Sequence, residues 1–289
     1  MIMQLTLVII FSLLLTVQAF SQAGAVTWEP VRLINGSPCV FRFKPPSPLQ
    51  TLGGNWLGKK VYFSFDQVSG EWVGFAGIDI DTKPGSYQLD LAAVTTGGQH
   101  TKFNQIVPVA KGFYPVTTLT VPKKYVEPDP ESLARIQQER DLKNELFSRI
   151  TNDRWWSGNF AVPVGGSTSA GFGSQRTYNG KRQSIHQGLD FRAATGTPVK
   201  AVNSGRVMLA RELYFEGGCV VLDHGQGLLT IYMHLSAFKV KEGDTVSKGQ
   251  LLALSGGTGR VTGPHLHLAV RWQGVYVDPA TLLGISLPK

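Results

Sequence analysis

The sequence predicts a mostly β protein: an N-terminal antiparallel β-sandwich, one linking helix, and a C-terminal β domain. Three observations carry this expectation. Only 17% of the 289 residues are charged while 33 are glycine, a turn-rich make-up with 42% apolar residues to fill a core. Short β-rich runs with period-two alternation, such as Val61-Tyr62-Phe63-Ser64-Phe65 and Tyr87-Gln88-Leu89-Asp90-Leu91, are separated by turn clusters such as Asp81-Thr82-Lys83-Pro84-Gly85. A single stretch has helical spacing instead.

Taken in order, residues 1–23 read as a signal peptide. An apolar run extends from Leu5 to Phe20, and small residues at Ser21, Ala23 and Ala25 suit cleavage, although Met1 to Gln4 supply no basic side chain. The expectation is an exported protein, periplasmic or extracellular, with no stable membrane insertion after cleavage. No later apolar stretch approaches the roughly 20 residues a membrane helix needs. Residues 24–125 form the sandwich. Residues 126–152 form the helical linker, where Leu133, Ile136, Leu142, Leu146 and Ile150 recur among charged residues after an Asp129-Pro130 start that suits a helix N-terminus. Residues 153–289 return to strands and glycine turns, with Trp155-Trp156 at the junction.

The net charge is +8, and most of the excess falls after residue 150. This favours an anionic polymer as partner. The basic residues are scattered among glycines rather than clustered with aromatics, which favours cell wall over nucleic acid. The two cysteines, Cys39 and Cys219, fall in different domains and are expected as buried free thiols.

Five of the six histidines lie in the last domain. In a strand, His265 and His267 project from one face while Leu266 and Leu268 project from the other, so two imidazoles reach one cavity. If His186 and Asp190 flank a turn into the strand 189–192, they converge there too. Two histidines and a carboxylate leave a fourth tetrahedral position for water, the arrangement of catalytic rather than structural zinc. Such a set also holds iron in oxygenases, but those sites usually begin H-x-D, whereas Asp190 follows His186 by four. His100 and His224 read as turn or surface histidines, and Tyr178, Arg192 and Tyr232 as groove-lining or packing residues.

Other motifs fall short. The stretch 240–250 is similar to the turn of a biotinyl or lipoyl carrier but has no lysine in a Met-Lys-Met-like hairpin. Gly256-Gly257-Thr258-Gly259 lacks the spacing of a phosphate loop, and Ala253-Leu254-Ser255-Gly256-Gly257 misses the first glycine of a nucleophile elbow.

The three segments Ser184-Ile185-His186-Gln187-Gly188-Leu189-Asp190-Phe191, Ile231-Tyr232-Met233-His234-Leu235-Ser236 and Thr262-Gly263-Pro264-His265-Leu266-His267 together resemble the lysostaphin-type, or LytM-type, zinc endopeptidases. The resemblance runs from about Val162 to Leu283. It implies a compact antiparallel β catalytic domain with a groove, zinc held by His186, Asp190 and His267, and unligated catalytic roles for His234 and His265. It also implies hydrolysis of cross-links or stem peptides of bacterial peptidoglycan. Either unligated histidine, His265 or His234, can serve as general base with the other stabilising the oxyanion, and the base role falls to His265 because its strand neighbour His267 fixes it close to the metal. The alternative is a non-catalytic wall-binding protein or an activator of other wall hydrolases, a role taken by relatives that have lost ligands.

Overall fold

The computed structural model describes residues 24–180 and 182–288, so the expected signal peptide at 1–23 lies outside the described residues. The first eight strands are β1 (Ala25–Glu29), β2 (Leu33–Ile34), β3 (Pro38–Lys44), β4 (Leu49–Trp56), β5 (Lys59–Asp66), β6 (Glu71–Gly77), β7 (Gly85–Thr95) and β8 (His100–Ala110). They hydrogen-bond in the order β1-β3-β6-β5-β4-β7-β8-β2. β5 turns the sheet into two layers: residues 59–62 pair with β4, and residues 63–66 pair with β6. The inner faces alternate as the sequence predicts, with Leu89, Leu91 and Ala93 of β7 buried while Gln88, Asp90 and Ala92 are not. Trp56 is fully buried and meets Phe41 edge-on at 5.2 Å. Pairing is antiparallel except for the short β2, which runs parallel to β8.

The chain leaves this sandwich through β9 (Val116–Leu119) and a 3-10 turn (Lys123–Tyr125), then enters α1 (Pro130–Ser148). Asp129 caps the helix by accepting the Ser132 N–H at 2.7 Å, with Pro130 in the first turn. The helix carries no buried residue and is less amphipathic than its spacing predicts. Leu133 is 53% exposed, and Ile150 lies beyond the helix at 45%. Its apolar docking is confined to the last turns, where Leu142, Leu146 and Phe147 lie against Leu209, Val221, Ile231 and their neighbours on the back of the second domain, while Glu139 accepts the Tyr214 N–H at 2.8 Å. Among the described residues, no helix is long and apolar enough to cross a membrane.

The second domain contains β10 (Thr168–Ala170), β11 (Gln175–Tyr178), β12 (Arg182–Ile185), β13 (Leu189–Phe191), β14 (Pro198–Lys200), β15 (Gly205–Leu213), β16 (Gly217–Asp223), β17 (Leu228–Phe238), β18 (Thr245–Val246), β19 (Leu251–Ser255), β20 (Leu266–Trp272) and β21 (Val275–Val277), closed by α2 (Pro279–Gly284). The main path of its antiparallel sheet is β10-β13-β20-β17-β16-β15-β18. β11 and β12 form a hairpin outside this sheet, and β9 joins the hairpin as a parallel third strand. Residues 116–119, expected with the first domain, therefore pair with the second.

The helix is not the only connection between the domains. A continuous apolar core includes Phe41, Phe75 and Ile78 of the first and Trp156, Trp272 and Val277 of the second. Gly77 allows this contact, because a Cβ there would come within 2.8 Å of Val277 and 3.2 Å of Trp272. The Asp278 N–H donates to the Gly36 carbonyl at 2.8 Å, and Lys59 donates to the Gln273 carbonyl at 2.8 Å. Trp156, at the predicted helix–domain junction, is buried against Phe75 at 6.4 Å, so it fills the seam between the two domains.

Candidate metal centre

The centre is built on two neighbouring strands. β13 and β20 pair antiparallel, with Asp190 directly opposite His267. Cross-strand partners project to the same side, so the carboxylate and the imidazole meet there: Asp190 Oδ1 lies 2.7 Å from His267 Nδ1. His186, at the turn into β13, brings its Nε2 to 3.0 Å from both of those atoms. Its own Nδ1–H donates to the Gly171 carbonyl at 2.7 Å, which fixes the tautomer and turns the Nε2 lone pair into the cluster. All three residues are buried.

This donor set fits a divalent ion. Four ligands at about 2.0–2.1 Å around a tetrahedral ion sit roughly 3.4 Å from one another, so separations of 2.7–3.0 Å need open by only a few tenths of an ångström. Two neutral nitrogens and a carboxylate oxygen form a donor set suited to such an ion.

The protonation states agree with this arrangement. Burial by itself raises the Asp190 carboxyl, but hydrogen bonds and charge from His186 and His267 outweigh it and hold the group well below the usual carboxylate range. Burial lowers His267 to about 4, with the Asp190 hydrogen bond opposing the shift, so the ring is neutral at pH 7. Arg176 also bonds Asp190, its guanidinium 2.8 Å from Oδ2, which leaves Oδ1 to face the histidines.

His265 and His234 stand beside the cluster. The His265 ring is 4.8 Å from that of His234, and its Nε2 is 3.7 Å from Asp190 Oδ1. Leu266 and Leu268 are buried behind the sheet, as their alternation with His265 and His267 predicts. His234 reaches the site by a route that alternation does not predict. Met233 pairs with His267, so a regular β17 would turn His234 to the opposite face. Instead His234 adopts φ +65° beside shifts in register along β17, and its ring comes to 6.0 Å from His267. Its Nδ1–H donates to the Thr258 carbonyl at 2.9 Å. Burial and the neighbouring His267 and His265 hold its pKa well below the ordinary histidine value.

The centre opens into a groove of about 560 Å³ whose walls include Leu119, Val121, Tyr178, Arg192, Arg260 and Pro264. A smaller lobe of about 220 Å³ lies on the other side of Arg176, Tyr178 and Arg260.

The structure thus gathers all five predicted site residues and sorts the others. His224 is a correction: it is fully buried, donating from Nδ1 to the Ser204 carbonyl at 2.7 Å, with Nε2 2.7 Å from the Thr230 hydroxyl. Tyr232 is a core residue whose hydroxyl accepts the Val202 N–H at 2.9 Å. His100 is exposed at the start of β8, and both cysteines are buried and free. Two contributors escaped the sequence. Arg176 lies on a hairpin with no spacing relation to Asp190. Gly188, between the two N-terminal ligands, is needed because a Cβ there would come within 2.4 Å of His267 Nε2.

Residues 184–279 match Peptidase family M23. The chain is 46% identical over 112 residues to the peptidoglycan DD-endopeptidase ShyA of Vibrio cholerae serotype O1, a match covering 38% of this chain and 26% of that protein. It is 40% identical over 104 residues to the DD-carboxypeptidase/endopeptidase Mpg of Neisseria meningitidis serogroup B, covering 36% and 23%. The chain thus spans about a quarter of the length of these curated relatives. A crystal structure from Pseudomonas aeruginosa, described as a candidate M23 peptidase, superposes over 88% of this chain and 96% of that one, with a TM-score of 0.66 and 29% identity.

Proposed function

We infer, from a chain whose residues 184–279 form a domain of peptidase family M23, that the protein is a zinc-dependent endopeptidase. It cuts peptide cross-links or stem peptides of peptidoglycan outside the cytoplasm. The observation that carries this reading is the convergence of His186 Nε2, Asp190 Oδ1 and His267 Nδ1 on one point, with two further histidines beside them. Export agrees with the apolar run at residues 5–20. The similarity to a peptidoglycan DD-endopeptidase and a DD-carboxypeptidase/endopeptidase supports the substrate.

Zinc bound at this point would supply Lewis acidity, polarising the scissile carbonyl and making water a nucleophile near neutral pH. The protein's own groups manage the protons. His265 spends its Nδ1–H on the Gly263 carbonyl at 2.8 Å, so Nε2 is the ring atom left to face the reacting water. That atom takes the proton of the attacking water and returns it to the leaving amine. His234 also spends its Nδ1–H on a carbonyl, and burial keeps the ring neutral. Its Nε2 is therefore an acceptor, suited to orienting the water or the substrate amide N–H. Donation to an oxyanion would need a second proton that burial opposes.

The test is digestion of purified peptidoglycan by the zinc-loaded protein, with mass analysis of the fragments. His186→Ala, Asp190→Ala and His267→Ala should lose zinc and activity together. His265→Ala should keep zinc and lose at least about a hundredfold in rate. A wall that stays intact with zinc present would shift the reading to a wall-binding protein or an activator, and a fully active His265→Ala would end the general-base assignment.

A further inference from the structure

The groove beside the metal centre is lined with more positive charge than the reaction uses. Its walls include Arg176, Arg192 and Arg260 but only one carboxylate, Asp190, and that one already holds Arg176 and the histidines. Arg260 is held flat, its guanidinium 4.6 Å from the centre of the Tyr178 ring and 4.7 Å from that of Phe215. Arg192 differs. It follows β13 directly, two residues after Asp190, so strand alternation sends its side chain to the same face as the metal ligand. Its main chain is pinned, with the N–H donating to the Ser167 carbonyl at 3.0 Å. The loop lies so close that a Cβ on Gly166 would come within 2.5 Å of the Arg192 carbonyl oxygen. The side chain is exposed, and among the described residues no acidic group lies within ion-pair distance of it.

A fixed backbone that presents an unpaired planar guanidinium into a substrate groove, two residues from the reacting centre, is suited to bidentate capture of a carboxylate. We propose that Arg192 forms a substrate subsite for a free carboxylate of the peptide stem next to the scissile bond, with Arg260 adding positive potential from the facing wall. The proposal rests on the peptidase reading and specifies which peptides the groove takes: acidic stems in preference to amidated ones. Arg192 here selects and orients substrate and takes no part in proton transfer.

The experiment measures binding separately from cleavage. The zinc-loaded full chain is titrated calorimetrically with the uncross-linked stem tetrapeptide carrying free carboxylates, and with the same peptide converted to carboxamides. The wild type should bind the acid about tenfold more tightly than the amide, with the preference shrinking as salt rises. Arg192→Ala should weaken the acid about tenfold, leave the amide and the zinc content unchanged, and so abolish the preference. Arg192→Lys should restore part of it, since the charge returns without the fork. Equal affinity of the wild type for acid and amide, an unchanged preference in Arg192→Ala, or no binding of either peptide would overturn the subsite. If the acid preference and its loss in Arg192→Ala are observed while peptidoglycan is never cut, the subsite stands and the peptidase reading fails.

Discussion

The roles of individual side chains in this protein depend on which of their atoms are already spent. His186, His234 and His265 each commit Nδ1–H to a backbone carbonyl, from Gly171, Thr258 and Gly263 respectively. Each therefore turns its Nε2 toward the site, and position alone separates ligand from base. Gly188 permits one such position. Gly188→Ala should push the His267 ring and weaken zinc about tenfold or more in competition with a chelator, with the circular dichroism unchanged; wild-type affinity would remove this role. His224 makes a different prediction. Burial lowers its pKa to about 4, against a weaker opposing effect of the Ser204 carbonyl, whereas the unfolded ring titrates near 6.5. Between these values the unfolded chain binds a proton that the folded ring refuses, so its contribution is complete above pH 6.5 and is lost as pH falls toward 4. The loss is roughly 3 kcal/mol at about 1.4 kcal/mol per pH unit. The metal-free protein should unfold at lower urea at pH 5 than at pH 7.5, and an NMR titration of His224 with a midpoint near 6.5 would contradict the assignment.

At the scale of elements, two pieces that look like connectors act as walls. β9 extends the hairpin that carries Arg176 and Tyr178, and Asn179 secures the segment beyond it by bonding both the N–H and the carbonyl of Val121, at 3.0 and 2.9 Å. Leu119 and Val121 then line the groove. The exit from the first domain therefore helps to shape the site of the second. α1 braces the opposite side of the sheet through its C-terminal half, with the Arg271 guanidinium 5.0 Å over the Phe147 ring. Because its apolar packing lies in that half, Leu146→Ala should cost about 1 kcal/mol in urea unfolding. Leu133→Ala should stay within about 0.5 kcal/mol of wild type. Equal costs would mean that the helix packs along its whole length.

At the scale of the molecule, the shared core makes the two domains one folding unit. Trp272, Val275 and Val277 on one side face Gly77 and its neighbours on the other. A single calorimetric transition is expected for the full chain. A piece beginning at residue 153 should melt roughly 10 °C lower or more, since it exposes several buried apolar side chains at about 1.5–3 kcal/mol each. Two separate transitions, or an unchanged melting temperature for the piece, would argue for independent domains.

The sequence by itself determined the features that depend on short spacing: the strand alternation of β7, the capped start of α1 at Asp129-Pro130, and the shared face of His265 and His267. Those periodicities are fixed by backbone geometry over a few residues, so they are legible without a fold. Only the tertiary structure decided that Arg176 orients Asp190, that a left-handed residue brings His234 to the metal side of the sheet, that His224 is core, and that residues 116–121 wall the groove. Each of these depends on which distant segments pack together, and long-range packing leaves no period in the chain.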